Sequence, residues 1–173
     1  MKKIICVLTC VLMFTLMLVG CGGGDKQAAK SADGKIKIGV SIWSSTDVLG
    51  SQCKRIIDAA ADALNVEVQY VDQGHVSEKV TASVESLVAA GCQGIIICNS
   101  SDTEMASAIK TCNDNGVYLA QFFRVIDKNK NADIYEQAVK SPYYIGAVHE
   151  NEVENGKKLV QIRKSYRHSA GGN

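Results

Sequence analysis

Polar, charged and aromatic side chains follow three short apolar runs of the chain, at the point where each run ends. They are Trp43, Ser44, Ser45 and Asp47 after the first run, Asn99, Ser101 and Asp102 after the second, and Phe123 and Arg124 after the third. Together they offer oxygen hydrogen-bonding groups, a guanidinium fork and aromatic faces. This mixture suits a sugar, whose hydroxyls need several donors and acceptors while its C–H face lies against an aromatic ring.

Each of these residues also has a purely structural interpretation. Asp47 and Asp102 stand where helix caps belong, and Ser44 and Ser101 suit tight turns. Trp43 fits the hydrophobic core as well as a binding wall. The residues therefore indicate a binding site only as a group.

Patterns typical of enzymes with a doubly wound sheet are absent from the sequence. There is no GxSxG elbow, no P-loop and no GxGxxG after the first run. His75, His149 and His168 are isolated, without metal-ligand spacing. We expect no enzymatic activity, cofactor or metal. A small doubly wound hydrolase stays as an alternative, and it requires turnover that Asp47→Ala and Arg124→Ala abolish.

Short β-rich runs alternate with amphipathic helical ones from Lys35 onward, which is typical of βαβ units and a parallel sheet. We predict strands over 36–43, 66–71, 94–98, 117–123 and 143–148, and helices over 48–64, 76–90, 105–116 and 150–163. The fold class is α/β, a doubly wound open parallel sheet of flavodoxin-like or Rossmann-like type. In such sheets ligands bind at the carboxyl ends of the strands, which is where the polar groups lie.

The helical periods also predict which side chains face the core. In the first helix these are Ile56, Ile57, Ala60 and Leu64, and in the last they are Val153, Leu159, Val160 and Ile162. The polar segment 127–131 is predicted to be a loop, and residues 164–173 a disordered tail.

The N-terminus has the three parts of an export signal: Lys2 and Lys3, an apolar run over 4–19, and Gly20 before Cys21. The run is shorter than the ~20 residues that span a bilayer comfortably. Residues 18–21 resemble the lipobox of bacterial lipoproteins, whose cysteine is acylated. We therefore predict a signal peptide over 1–20, lipidated Cys21 with a flexible Gly-rich linker over 21–34, and one domain over 35–163.

The net charge and the cysteine spacing restrict which classes of partner and of cysteine site we expect. The formal net charge is +1, with no long run of either sign, so nothing suggests nucleic acid. Of the seven cysteines, four follow Cys21: Cys53, Cys92, Cys98 and Cys112. Their scattered spacing indicates neither a zinc site nor a redox motif, and we expect small buried apolar residues.

The order of motifs resembles the first lobe of type I periplasmic binding proteins, the ribose- and galactose-binding class that serves sugar ABC transporters. The resemblance lies in residues 38–42, 87–97 and 144–148 and covers roughly 36–162. It implies a sugar-like ligand, an ABC transporter permease as partner, and a lipid-anchored place on the extracytoplasmic face of a bacterial membrane. The family's acidic–arginine ligand pair falls on Phe123 and Arg124, so the arginine is kept and the acid is replaced.

The same resemblance implies two lobes, of which this chain supplies the N-terminal one. We expect a truncation or frameshift near Ile162, which the DNA past codon 173 would test, and weak or absent sugar binding by a lone lobe. A ligand-sensing lipoprotein of the same fold, presenting its ligand to a receptor or sensor kinase, stays open. Neighbouring genes would distinguish it from an importer component.

Overall fold

Five parallel strands form one sheet in the computed structural model, which describes residues 34–170. They are β1 (Lys37–Ile42), β2 (Glu67–Asp72), β3 (Gly94–Ile97), β4 (Tyr118–Phe122) and β5 (Tyr144–Val148). Their order in the sheet is β2-β1-β3-β4-β5, and every neighbouring pair is parallel. The predicted α/β class and flavodoxin-like order are therefore confirmed.

Five helices connect or follow the strands. They are α1 (Val48–Leu64), α2 (Lys79–Ala89), α3 (Asp102–Asn115), α4 (Ala132–Lys140) and α5 (Glu152–Ala170). Helix α1 begins at the cap Asp47 and ends at Asn65, whose φ is 52°. Helix α3 ends at Gly116, with a φ of 67°, a conformation that glycine adopts without strain.

The main core lies between one face of the sheet and helices α2, α3 and α4. Leu87 of α2 and Ile95, Ile97 and Leu119 of the sheet are at most 1% exposed. A Cβ at Gly39 of β1 would lie 2.9 Å from Leu87, so glycine lets α2 approach the sheet closely. This packing holds the carboxyl ends of β1, β3 and β4 side by side.

Helix α1 faces the core differently from its predicted orientation. Ile56 and Leu64, predicted to be inward, are 69% and 72% exposed. Its buried residues are instead the small Gly50 and Ala61, and Ala60 is exposed. Small side chains let the helix lie close to the sheet, and the larger apolar side chains of the same helix stay outside.

Helix α4 was not predicted. Only Ile134 and Ala138 of its nine residues are buried, so the apolar signal over this stretch is short. The preceding segment 127–131 contains no strand and no α-helix, as expected.

Helix α5 differs from its prediction in length and in burial. It continues to Ala170, past Arg163, because no glycine or proline interrupts 164–170. The tail predicted from Lys164 is therefore wrong for 164–170, and 171–173 lie outside the described residues. The four side chains predicted to face inward are 51–69% exposed. They are Val153, Leu159, Val160 and Ile162.

The four cysteines beyond Cys21 are all free thiols. Cys92 and Cys112 are buried, as predicted, while Cys53 and Cys98 are half-buried. Both of the half-buried thiols lie on the side of the molecule where the strands end.

Candidate functional site

An open cleft of about 1040 Å³ lies at the carboxyl ends of β1, β3, β4 and β5. Seven of the nine ligand-binding residues predicted from the sequence line it, which are Trp43, Ser44, Asp47, Asn99, Asp102, Phe123 and Arg124. Parallel strands end at one edge of a sheet, so residues 81 positions apart in the chain meet there.

The wall after β1 is built by a tight turn into α1. The hydroxyl of buried Ser44 accepts from the N–H groups of Thr46 (3.3 Å) and Asp47 (3.4 Å). Asp47 Oδ1 accepts from Gly50 N–H at 2.6 Å and so caps α1. Its other oxygen lies 3.6 Å from His75 Nε2. Asp47 is thus both a helix cap and a cleft residue.

Trp43 is half-buried, with its ring on the cleft. His75 packs against it edge-on, with ring centroids 5.3 Å apart and planes at 79°. The φ of His75 is 61°, an uncommon conformation for a residue other than glycine. His75, in the loop after β2, therefore contacts both Trp43 and Asp47.

Asn99 belongs to the framework under the cleft. It is 1% exposed. Its Oδ1 accepts from Gln121 Nε2 at 2.7 Å, and its Nδ2 donates to the Ser101 carbonyl at 2.8 Å. Gln121 Oε1 accepts in turn from the Tyr144 hydroxyl at 3.0 Å. This chain of bonds across β3, β4 and β5 holds the turn before α3 in place.

Asp102 is not a cap, although its position before the helical run suggested one. It is the first residue of α3, and the cap is Ser101. Asp102 Oδ2 accepts from Asp127 N–H (3.0 Å) and from Asn131 Nδ2 (2.8 Å). The carboxylate therefore fastens the loop between β4 and α4 to the start of α3.

The two N–H groups just before α3 donate to a side chain of that helix. Glu104 Oε2 accepts from Ser100 N–H at 2.8 Å and from Ser101 N–H at 3.2 Å. This is the capping-box arrangement, in which the side chain of the third helical residue accepts from the N–H of the cap residue Ser101.

Phe123 and Arg124 leave the sheet where β4 ends. Phe123 has a φ of 67°, which is strained for a bulky side chain. Its N–H donates to the Val148 carbonyl at 2.8 Å, so the pairing with β5 holds this conformation. The rings of Phe122 and Phe123 lie 4.7 Å apart, and both line the cleft. Arg124 is exposed beside them.

Cys98 also lines the cleft, at the end of β3. Burial raises the pKa of its thiol to about 11, while the positive charge of Arg124 acts in the opposite direction. The backbone carbonyl of Cys98 accepts from Gln73 Nε2 at 2.9 Å. Gln73 is fully buried and also donates to Ser41 Oγ at 2.7 Å.

Two predicted residues do not line the cleft. The N–H and the hydroxyl of Ser45 both donate to Asp72 Oδ2 at the end of β2. Ser101 caps α3, and its hydroxyl lies 2.9 Å from Thr103 Oγ1. Both serine hydroxyls thus hold local turns together.

The cleft also includes residues that sequence reasoning missed. Asp127 and Lys130 come from the loop after β4, His149, Glu150 and Asn151 from the turn after β5, and Val153 from the first turn of α5. The rule that ligands collect at strand ends would have indicated the second group, had it been applied to β5 as well.

Two predictions concern membrane attachment. Cys21 lies outside the described residues, so its lipidation stays a prediction. No helix among residues 34–170 is long and apolar enough to cross a membrane.

Comparison with known proteins matches this chain to solved structures only. No protein-family model and no curated protein matches it. A galactofuranose binding protein has a TM-score of 0.58 at 19% identity, covering 72% of this chain and 38% of its own. A structure from Mycobacterium smegmatis in complex with β-D-fucofuranose has a TM-score of 0.61 at 16% identity, covering 79% and 42%.

A Caulobacter myo-inositol binding protein bound to myo-inositol is similar to the same extent, with a TM-score of 0.59 at 18% identity, covering 76% of this chain and 41% of its own. The chain thus spans 38–42% of the length of these three structures. At such identities the likeness concerns the fold. The described residues have the fold of a single lobe of the type I periplasmic binding proteins, as the sequence resemblance predicts.

Proposed function

We propose that the chain is a lipid-anchored, extracytoplasmic solute-binding protein whose cleft forms one wall of a site for a small sugar or related polyol. The proposal includes delivery of that ligand to an ABC importer. The observation that carries it is the meeting of aromatic rings and polar side chains in one cleft at the strand ends.

The chemistry of the wall supports a sugar. Trp43 and Phe123 offer ring faces for C–H groups, and Asp47 and Arg124 offer an acceptor and a donor for hydroxyls. Galactofuranose, fucofuranose and myo-inositol, named for the three similar structures, are all small polyhydroxylated rings. The fold and the wall therefore favour the same class of ligand.

Anchoring is the second part of the proposal. Acylation of Cys21 would keep the lobe near its permease, and two or more acyl chains hold a domain on a membrane stably where one does not. Cys21→Ala is expected to release the chain from membranes and to abolish incorporation of labelled palmitate. A chain that stays membrane-bound and labelled after this change would contradict lipidation at Cys21.

Sugar binding is tested on the full chain in detergent by saturation-transfer NMR, a method suited to the weak binding expected of one wall. Methyl β-D-galactofuranoside and myo-inositol are the probes, and fluorescence of Trp43, the only tryptophan, reports on the cleft. Phe123→Leu keeps an apolar side chain and removes the ring, so it should weaken binding about fivefold.

Tyr135→Ala is the matched control. It removes a ring from α4 that is 40% exposed and lies outside the cleft, so binding should not change. If neither probe shows transfer at tens of millimolar, or if Tyr135→Ala weakens binding as much as Phe123→Leu, the proposed site is wrong.

A further inference from the structure

His75 contacts two cleft residues although it does not border the cleft itself. Its Nε2 lies 3.6 Å from Asp47 Oδ2, and its ring packs edge-on against Trp43 with centroids 5.3 Å apart. Asp47 and Trp43 both line the cleft, and His75 is not among the lining residues. Any effect of His75 on a ligand therefore passes through these two side chains.

The backbone fixes His75 at this place. Its N–H donates to the Trp43 carbonyl at 3.0 Å, and its φ of 61° lies in the left-handed region. Asp72 ties the same loop to the turn after β1, because it accepts from Gly74 N–H and from Ser45 N–H, each at 2.7 Å. The imidazole is thus held against that turn, while the side chain stays 53% exposed and accessible to protons from solvent.

The two oxygens of the Asp47 carboxylate have different surroundings. Oδ1 accepts from Gly50 N–H at 2.6 Å and caps α1. Oδ2 lies 3.6 Å from His75 Nε2, a distance too long for a hydrogen bond but within the range of an ion pair. The protonation state of His75 therefore decides whether it offers Oδ2 a charged partner.

Charged groups near His75 come from three elements. Asp47 lies in the turn after β1, and Asp72, which interacts electrostatically with His75, ends β2. Lys79 begins α2, and its Nζ lies 3.7 Å from where a Cβ on Gly74 would stand. Both oxygens of Asp72 already accept from the backbone. A positive charge on His75 is therefore expected to pair with Asp47, whose Oδ2 is not engaged by the helix cap.

We infer that His75 is a positioning residue of the sugar site, which binds its ligand less tightly in acid. When His75 is neutral, Asp47 Oδ2 is available to accept from a hydroxyl of the ligand. When His75 is protonated, its N–H donates to Oδ2 in a charge-assisted bond, which is stronger than a bond from a neutral hydroxyl. The same protonation places a charge beside the ring of Trp43. The inference rests on the proposed sugar site and adds its dependence on pH.

The first measurement needs no ligand. Trp43 is the only tryptophan, and histidine side chains titrate between about pH 5 and 8. The fluorescence of the full chain in detergent should therefore change between pH 8 and pH 5.5, because a charge appears beside the indole. His75→Asn should remove this change, and asparagine also adopts the left-handed backbone conformation, so the loop is kept. A change of equal size in His75→Asn would overturn the inference.

The second measurement is binding of methyl β-D-galactofuranoside at the same two pH values, by saturation-transfer NMR on the full chain in detergent. Binding should be about threefold weaker at pH 5.5 than at pH 8, the effect of one solvent-accessible hydrogen bond. His75→Asn should bind equally at both. Asp47→Asn keeps a capping side chain and loses the charge, so it should also bind equally at both, while its fluorescence still changes with pH.

His149→Gln is the matched control, because His149 is also a histidine and lines the cleft. Its Nδ1 lies 3.3 Å from the carbonyl of Glu150, on the turn after β5. This variant should keep both the threefold dependence of binding on pH and the change in Trp43 fluorescence.

The outcomes separate this inference from the proposed function. Equal binding at both pH values by the unchanged chain, or a dependence that His149→Gln removes as fully as His75→Asn, would overturn the role of His75 and leave the sugar site standing. A dependence that persists in Asp47→Asn would not pass through the Asp47 carboxylate, and the inference would then be wrong. Absence of sugar binding at either pH would overturn the proposed function and this inference together, whereas the fluorescence change would still report the contact between His75 and Trp43.

Discussion

Gly50 is the position where the smallest change of side chain should disturb both α1 and the cleft. A Cβ there would lie 1.6 Å from the carbonyl oxygen of Ser44 and 2.8 Å from its carbon. Real Cβ atoms essentially never come within 3.0 Å of another heavy atom. Gly50→Ala therefore forces the first turn of α1 away from the turn that follows β1.

The magnitude follows from three contributions. Overpacking against backbone destabilises by about 1–3 kcal/mol. The shift also disturbs the 2.6 Å cap bond from Gly50 N–H to Asp47, and loss of a cap costs about 1 kcal/mol. In the opposite direction, replacing glycine by alanine within a helix stabilises the folded state by about 0.5–1 kcal/mol. We expect the free energy of unfolding to fall by about 1–3 kcal/mol, and the melting temperature by about 5 °C for a chain of this length.

Urea unfolding followed by circular dichroism and by Trp43 fluorescence measures this change. Gly156→Ala is the matched control, because it is also a helical glycine but nothing lies within 4 Å of its Cβ. The control should raise the unfolding free energy by about 0.5–1 kcal/mol, because alanine favours the helix over glycine and nothing obstructs it there. If Gly50→Ala is as stable as the parent, the close approach of α1 to the turn after β1 is refuted.

Three further predictions test burial and charge. Ile56→Gln should change the unfolding free energy by less than about 0.5 kcal/mol; a loss of several times that would mean that this side chain is buried after all. The hydrogen bond from the Ser45 hydroxyl is the main reason why the pKa of Asp72 lies below its ordinary value of 3.8. The stability that ionised Asp72 contributes is therefore full above pH 3.8 and is lost as the pH falls through the lowered pKa. Asp72→Asn should flatten the acid limb of a stability-against-pH curve, and identical limbs would contradict this. Burial raises the pKa of Cys98 to about 11 and of Cys112 to about 12, so iodoacetamide at pH 8, followed by mass spectrometry, should label Cys98 slowly and Cys112 only after unfolding. Labelling of Cys112 at the rate of a free thiol would overturn its burial.

The strands and the edge at which the site lies could be predicted from the amino-acid order. Continuous apolar runs such as Ile95–Ile97 favour strands buried on both faces. Their alternation with helical periods leaves few topologies, and all-parallel strands bring their carboxyl ends together. The polar residues that follow the runs were therefore expected to meet, and seven of them do.

Helix α4 and the orientation of α1 could not be predicted in this way. The helical period of a sequence shows only which side chains are apolar. Which of them are buried depends on how closely the helix backbone approaches the sheet. Gly50 and Ala61 face inward on α1 because they are small, while Ile56 stays outside. Only Ile134 and Ala138 of α4 are buried, too few for a clear helical period.

The sequence by itself determined the α/β alternation and hence the edge of the sheet at which the cleft lies, because hydrophobic periods are local properties of the chain. Only the tertiary structure decided the role of each polar group. Asp102 holds residues 25 and 29 positions away, and Asn99 is bound to Gln121. Such assignments depend on contacts between distant segments, which no local pattern encodes.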